Sequence, residues 1–150
     1  LDELVDFRGF TRGVMGRYAT LARYKSLDKD GRRELKNQLD RFSAVVRENL
    51  VRTYSKGLLA FGGAKTEVDS SSDPAESEKT ATVRQLIYGE RAEPFKVVYQ
   101  MRLMKNKQWK LRNISVEDIN LGLIYRNQFE SAVAQADGDL NHVISNWNLQ

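Results

Sequence analysis

A change in the spacing of apolar residues, close to the pair Gly62 and Gly63, constrains the fold of this chain more than any other feature. Before it, apolar residues recur at helical spacing, in the series Leu35, Leu39, Phe42, Val46, Leu50, Tyr54 and Leu58. This spacing predicts one amphipathic helix from Asp30 to Leu59, about 45 Å long. Beyond the two glycines, apolar residues alternate with polar ones, which is typical of half-buried strands.

The residues ahead of the long helix predict two short helices with a bend. Apolar residues recur at helical spacing from residue 2 to about residue 24, but three glycines interrupt them: Gly9, Gly13 and Gly16. Each glycine costs up to about 1 kcal/mol in a helix interior. Ser26 or Asp28 is then the expected N-cap of the long helix.

The residues after the two glycines predict an antiparallel sheet. The polar, acidic segment Glu67 to Glu78 is expected to be an exposed hairpin loop between strands. Three further strands are predicted in the segments 80–89, 95–105 and 108–119, with a turn at Lys105 to Gln108 between the last two. The apolar parity of the final strand switches, which predicts a bulge near Arg112 or Asn113.

Two closing helices are predicted after the sheet, over 121–136 and 140–147, separated by a break at Asp137, Gly138 and Asp139. The predicted fold class is α+β: helices packed on the concave face of a twisted, antiparallel four-stranded sheet. We expect a single domain over 1–150, helical from 1 to 61, with the sheet at 64–119 and closing helices at 121–148.

Composition excludes several classes of site. The chain of 150 residues has no cysteine, so it has no disulfide, thiolate nucleophile or cysteine metal site. It also lacks the roughly 20 consecutive apolar residues that span a bilayer, so we expect a soluble protein. It starts at Leu1 without a leader, and we expect that any export signal was removed or is absent from this sequence.

No enzyme signature emerges from the side chains. The single histidine, His142, is expected to be an exposed helix residue, and neither a zinc site nor an acyl-transfer triad can be assembled. Glu117 and Asp118 are expected to point to opposite sides of a strand, so they cannot act as a pair. Residues 1–60 carry 13 Lys and Arg against 8 Asp and Glu. This basic half indicates either a solvated face or attraction to nucleic acid, an anionic membrane or an acidic partner.

Four segments, taken in order, carry a family resemblance. They are GVMGRYAT from Gly13, RFSAVVRENLVRTYSKGL from Arg41, FKVVYQMRLMKNKQWKLRNISVE from Phe95 and VEDINLGLIYRNQFESAV from Val116. Their order and spacing resemble the MlaC-type family, also called the toluene-tolerance family, of periplasmic phospholipid-binding proteins. The resemblance covers nearly the whole chain and agrees with the α+β fold predicted from apolar spacing.

The resemblance implies a function. It implies a periplasmic carrier that holds phospholipid acyl chains in an apolar cavity between helices and sheet, and shuttles lipid between membranes to maintain outer-membrane asymmetry. The partners implied are an inner-membrane complex of MCE-domain protein and ABC transporter, and an outer-membrane lipoprotein–porin complex. A monomer is expected, without catalytic activity, metal, cofactor or nucleic acid; phospholipid is the cargo.

The candidate lipid-lining residues are apolar and aromatic side chains on the faces expected to point inward. They are Val14, Tyr18, Phe42, Val46, Leu50, Val97, Tyr99, Met101, Tyr125 and Phe129. Each also fits an ordinary core position. Two alternatives stay open: an enzyme on a similar cone-shaped α+β fold, which needs a deep acid or base, and a basic module that binds nucleic acid or protein, which needs aromatics among exposed cations.

Overall fold

The computed structural model describes residues 5–60, 65–69, 79–89 and 91–147. The chain divides into two compact units. Among the described residues, a helical unit comprises 7–55 and 122–147, and a sheet unit comprises 5–6 and 56–121. The predicted organisation as a single domain stays a prediction.

The helical unit begins with short helices, as predicted. Helix α1 (Phe7–Met15) passes into a 3₁₀ turn (Gly16–Ala19), and α2 (Leu21–Ser26) follows. The bend lies at Gly16, whose φ of 55° is in the left-handed region that favours glycine. A Cβ atom there would also come within 3.0 Å of the Arg126 side chain. The positive φ therefore favours glycine at this bend, and a larger residue would also have to displace the Arg126 side chain.

The long helix α3 (Lys29–Ala60) confirms the predicted helix from Asp30 to Leu59. Of the two predicted caps, Asp28 is the one used: its Oδ1 accepts a hydrogen bond of 2.7 Å from the Gly31 amide. Ser26 instead ends α2, where its hydroxyl donates to the Arg23 carbonyl. The glycines expected to stop α3 lie outside the described residues.

Two helices close the chain, α4 (Leu121–Gln135) and α5 (Leu140–Ser145). The predicted break between them contains Asp137 and Gly138, with φ values of 52° and 87°. The Gly138 amide donates to the Val133 carbonyl at 2.9 Å, which satisfies an orphan carbonyl at the end of α4. Asp139 then caps α5 by accepting a hydrogen bond from the His142 amide at 3.1 Å.

In the described part of the sheet unit, five strands pair antiparallel in sequence order. They are β1 (Lys65–Asp69), β2 (Thr80–Tyr88), β3 (Phe95–Leu103), β4 (Trp109–Val116) and β5 (Ile119–Asn120). The predicted α+β class with an antiparallel sheet is thus confirmed, with four longer strands and a two-residue fifth. The Asp6 amide also donates to the Leu111 carbonyl at 2.9 Å, beside a parallel bridge from Val5 to Leu111.

The predicted bulge in β4 is confirmed. Gln100 of β3 is opposite Asn113, but Met101 is opposite Leu111, so Arg112 is the extra residue of β4. The predicted turn between β3 and β4 is also present, closed by a hydrogen bond of 2.8 Å from the Met104 amide to the Gln108 carbonyl. The bulge fixes which side chains of β4 share a face.

Two local predictions are wrong. Glu67 to Asp69 were assigned to a loop but lie in β1; residues 70–78 of that predicted loop lie outside the described residues. Glu117 and Asp118 were placed on a strand but form the turn between β4 and β5, with φ values of 51° and 67°. Positive φ at both central residues is the geometry of a type I′ hairpin turn, for which Asn-Gly is the usual signal.

Candidate functional site

One face of the sheet is predominantly apolar. Alternation along β3 places Phe95, Val97, Tyr99, Met101 and Leu103 on the same side. Directly opposed residues of antiparallel strands share a face. The register therefore adds Ala81, Val83, Gln85 and Ile87 from β2, and Trp109, Leu111, Ile114 and Val116 from β4.

The bulge at Arg112 makes this face continuous. Leu111 and Ile114 are three residues apart, so in a regular strand they would point to opposite sides. Because Arg112 is an extra residue, Leu111 lies opposite Met101 and Ile114 lies opposite Tyr99. A feature that was predicted from parity alone thus supplies two apolar side chains to the candidate site.

The protein covers this apolar face only in part. Val97 is buried, with 5% of its surface exposed. Trp109, at the end of the face, is 43% exposed. The other residues, including Val83, Tyr99, Met101 and Ile114, are half-buried. We call these side chains of β2, β3 and β4 the apolar sheet face. Partly covered apolar area is what an apolar ligand needs, since the remaining contact with water is lost on binding.

The polar pair within the apolar sheet face satisfies itself. The Tyr99 hydroxyl donates a hydrogen bond to Oε1 of Gln85. Burial raises the pKa of Tyr99 above its ordinary value, because desolvation disfavours the phenolate. At neutral pH the pair therefore presents no charge to a ligand.

The opposite face of the sheet carries most of the polar side chains of β3, together with Val98. β3 alternates so that Lys96, Gln100 and Arg102 point away from Tyr99. The register pairs Gln100 with Asn113 and Arg102 with Lys110 on that side. The aromatic side chain and the cations of β3 are on different faces, whereas a nucleic-acid platform interleaves them.

Seven of the sequence-predicted site residues lie in the helical unit. Val14, Phe42, Val46, Tyr125 and Phe129 are buried there, and Tyr18 and Leu50 are half-buried. Their role in lipid binding stays a prediction.

The aromatic residues of this group pack against one another. The Phe42 and Phe129 ring centroids are 5.1 Å apart, and Tyr18 meets Phe129 edge-on at 6.0 Å. Trp147 meets Phe42 at 5.1 Å, and Phe10 meets Tyr125 at 5.9 Å. Such distances are those of favourable aromatic pairs in a protein core.

Several residues of these clusters were absent from the sequence prediction. In the helical unit, Phe10 is four residues before Val14, and Trp147 continues the spacing of Leu140, Val143 and Ile144. The period of 3.6 residues could have identified both. On the sheet, Val83 and Ile87 follow strand alternation, but their assignment to the Tyr99 face needs the register.

Side chains that could bind a metal or act as acid and base do not cluster in the described part of the chain. No group of three or more His, Cys, Asp or Glu side chains comes together among the described residues. His142 is exposed on α5, as predicted. In the same ranges, no helix is both long and apolar enough to cross a membrane.

Comparison with known proteins agrees with the resemblance found in the sequence. The toluene tolerance protein ttg2D of Pseudomonas putida is 29% identical over 147 residues, which are 98% of this chain and 62% of that protein. The chain thus spans about three fifths of the length of this relative. A solved phospholipid-binding protein from Ralstonia solanacearum, in complex with a phospholipid, has a TM-score of 0.68 at 20% identity, over 94% of this chain and 70% of that one. That likeness establishes a shared fold. The family model described as MlaC protein matches residues 1–149, and the chain therefore belongs to the MlaC family.

Proposed function

We propose that this protein binds phospholipid and that acyl chains lie on the apolar sheet face. The observation that carries the proposal is the partial burial of that face: Val83, Tyr99, Met101 and Ile114 are all half-buried although they share one apolar side of a sheet. Membership of the MlaC family supports the choice of ligand. So do the ttg2D relative and the neighbour of shared fold, which was solved with a phospholipid.

The energetics favour an acyl chain as ligand. Each methylene that leaves water contributes about 0.8 kcal/mol, so a sixteen-carbon chain gains on the order of 10 kcal/mol. Strand β3 has nine residues and spans about 30 Å. The hydrocarbon core of a bilayer, which is two acyl chains thick, has about the same thickness. The sheet is therefore long enough to lie along a whole acyl chain.

The residues proposed to contact lipid are first those of the sheet, Val97, Tyr99 and Met101. Met101 suits this role because its flexible thioether adapts to irregular shapes, and its β2 neighbour Ala81 leaves room beside it. The helical candidates are retained as weaker proposals, since several already pack against aromatic neighbours. The enclosed cavity expected from the sequence also stays a prediction.

The remaining parts of the functional proposal rest on the family. We propose a periplasmic, monomeric, non-enzymatic carrier, with phospholipid as cargo and no metal or other cofactor. The proposed partners are the inner-membrane MCE-domain and ABC-transporter complex and the outer-membrane lipoprotein–porin complex. Transfer of lipid between them would maintain outer-membrane asymmetry. On strand β3 the aromatic and cationic side chains lie on opposite faces, which argues against a nucleic-acid platform on the sheet.

Lipid extraction from the purified protein tests the proposal. We expect organic extraction and mass spectrometry to recover diacyl phospholipid in a fixed ratio to protein. Met101→Trp should lower that ratio severalfold, because the indole occupies space on the apolar sheet face. Gln100→Trp is the matched control, because the adjacent residue of β3 is exposed on the opposite face.

Two outcomes would contradict the proposal. Wild-type protein that carries no diacyl lipid, and takes up none when it is refolded with phospholipid, does not bind this ligand. If Met101→Trp folds and carries lipid at the wild-type ratio, acyl chains do not lie on this face.

A further inference from the structure

A basic cleft lies at the junction of α2 and α3, entirely within the helical unit. Its volume is about 640 Å³. The residues that line it are Tyr24, Leu27, Asp28, Lys29, Arg32, Arg33 and Lys36. Over residues 21–36 the sequence carries six Lys and Arg against three Asp and Glu. These 16 residues thus have a formal net charge of +3, compared with +4 for the whole chain.

One cation of the basic cleft is structural. Arg32 donates from Nε to the Tyr24 carbonyl and from Nη2 to the Lys25 carbonyl, both at 3.0 Å. Its guanidinium also lies over the Tyr24 ring, 5.2 Å from the centroid. These contacts satisfy carbonyls at the end of α2 and hold Tyr24 in place, so Arg32 has a structural role.

The other three cations of the cleft are exposed. The Lys36 ammonium lies 5.6 Å from the centroid of the Tyr24 ring. No carboxylate of the described residues lies within 4 Å of the Lys29 or Lys36 ammonium, and Arg33 is 3.9 Å from Asp30 at best. The Asp28 carboxylate accepts a hydrogen bond from the Gly31 amide. Its negative charge therefore faces the start of α3, and the rim of the cleft is positive.

An exposed leucine lies on the same short helix. Leu21 is the first residue of α2, and 67% of it is exposed. Leu27, also near the cleft, is half-buried. One isolated leucine is too little for the apolar centre of a protein interface, which buries about 800 Å² per partner. A leucine among cations does suit the headgroup region of a bilayer.

We propose that the basic cleft and Leu21 form a surface that docks on anionic phospholipid bilayers. Lys29, Arg33 and Lys36 approach the lipid phosphates, and Leu21 enters the headgroup layer. Solvated ammonium groups on flexible stems fit a diffuse negative surface better than one fixed carboxylate. This goes beyond the proposed function, on which it rests only for the expectation that the protein meets membranes.

Vesicle binding of charge variants tests the docking surface. The variant Lys29→Gln, Arg33→Gln, Lys36→Gln is compared with the matched control Lys96→Gln, Lys105→Gln, Lys107→Gln, which removes three exposed cations of the sheet unit. Flotation uses vesicles of phosphatidylglycerol mixed with phosphatidylcholine, and vesicles of phosphatidylcholine alone. Since each cation near an anionic membrane contributes about 1 kcal/mol, the first variant should partition about a hundredfold more weakly. The control should stay within a few-fold of wild type.

A second pair of variants tests the leucine. Leu21→Ser should weaken binding to phosphatidylglycerol vesicles roughly tenfold, because the buried leucine side chain is lost. Leu123→Ser is the control, since Leu123 is an exposed leucine of α4. High salt should weaken wild-type binding strongly, because it screens exposed charges.

The docking surface is overturned if wild type does not bind phosphatidylglycerol vesicles, or if both triple variants lose vesicle binding equally. It is also overturned if wild type is retained on immobilised polyglutamate but does not bind vesicles, which would indicate an acidic protein partner. Lipid extracted from the same preparations keeps the two proposals separate. If wild type carries lipid cargo but does not bind vesicles, only the docking surface is contradicted. If wild type binds vesicles but carries no lipid cargo, only the proposed function is contradicted.

Discussion

The helical unit and the sheet unit bury their apolar residues to different degrees. In the helical unit Val14, Phe42 and Phe129 are 0% exposed, and the aromatic rings contact one another. In the sheet unit Val97 is buried, but most other side chains of the apolar sheet face are only half-buried. The difference is what the proposed function requires, with close packing in the helices for stability and apolar area left on the sheet for the proposed ligand.

The largest expected effect is the removal of an aromatic ring from the helical unit. Phe129→Ala should lower the free energy of unfolding by about 3–5 kcal/mol, because a buried phenylalanine is replaced by a cavity. Met101→Ala on the half-buried sheet face should cost less than about 2 kcal/mol, below the range for a fully buried Met, because less buried contact is lost. Urea unfolding measures both values. Equal costs would remove the distinction between the two units.

Insertion of a large side chain should sharpen the same comparison. Val46, on α3, is 1% exposed, so Val46→Trp should overpack the helical core and cost about 1–3 kcal/mol. Met101→Trp should change the free energy of unfolding by less, because its surroundings are partly open. Thermal and urea unfolding of both variants check this. If Val46→Trp were as stable as wild type and lost its lipid, the helical unit would contain lipid-accessible space.

The sequence predicted the elements of the fold where local spacing determines them. The series of apolar residues from Leu35 to Leu58 places α3 within one residue at each end, because one period of 3.6 residues fits only a helix. The parity switch in β4 likewise predicted the bulge at Arg112, since a period of 2 leaves no other way to keep both halves on one face.

The errors lie where local spacing does not determine the structure. Glu117 and Asp118 adopt a turn with positive φ without the Asn-Gly signal of such turns. Glu67 to Asp69, predicted as part of a loop, lie in β1 although two of the three are acidic. A strand of this kind is defined by its pairing with β2, which is a tertiary contact.

The candidate site could be predicted only in part. Alternation identified Val97, Tyr99 and Met101 as neighbours on one face, and the structure places them there. The same reasoning could not separate them from Phe42 and Phe129, because core and ligand-lining side chains share one spacing. What separates them is the contacts of each side chain, and those depend on tertiary packing.

A smaller effect is expected from the cap of the long helix. Asp28→Ala removes the hydrogen bond to the Gly31 amide and should lower the free energy of unfolding by about 1 kcal/mol. Asp30→Ala is the control, since Asp30 is exposed and 3.9 Å from Arg33, and it should stay within about 0.5 kcal/mol of wild type. Urea unfolding distinguishes them. An equal loss would show that the effect is general charge near the helix start.

The smallest expected effect concerns the pH dependence of the sheet face. Burial holds the pKa of Tyr99 above its ordinary value of about 10. The folded protein therefore keeps this proton at pH values where the unfolded chain releases it. Its contribution to stability is complete below about pH 10 and is lost as the pH rises through the folded pKa.

Tyr99→Phe should therefore make the decline in stability above pH 10 shallower than in wild type, since one proton no longer participates. Because the variant also leaves Gln85 without its donor, the slopes are compared and the absolute stabilities are not. Urea unfolding across the alkaline range measures both slopes. Bound lipid would desolvate Tyr99 further and raise its pKa again, so the phenolate absorbance of loaded protein should develop at higher pH than that of delipidated protein. If the phenolate absorbance of the two forms develops at the same pH, the acyl chain does not contact Tyr99. The proposed lipid contacts would then be limited to other residues of the apolar sheet face, such as Val83 and Met101.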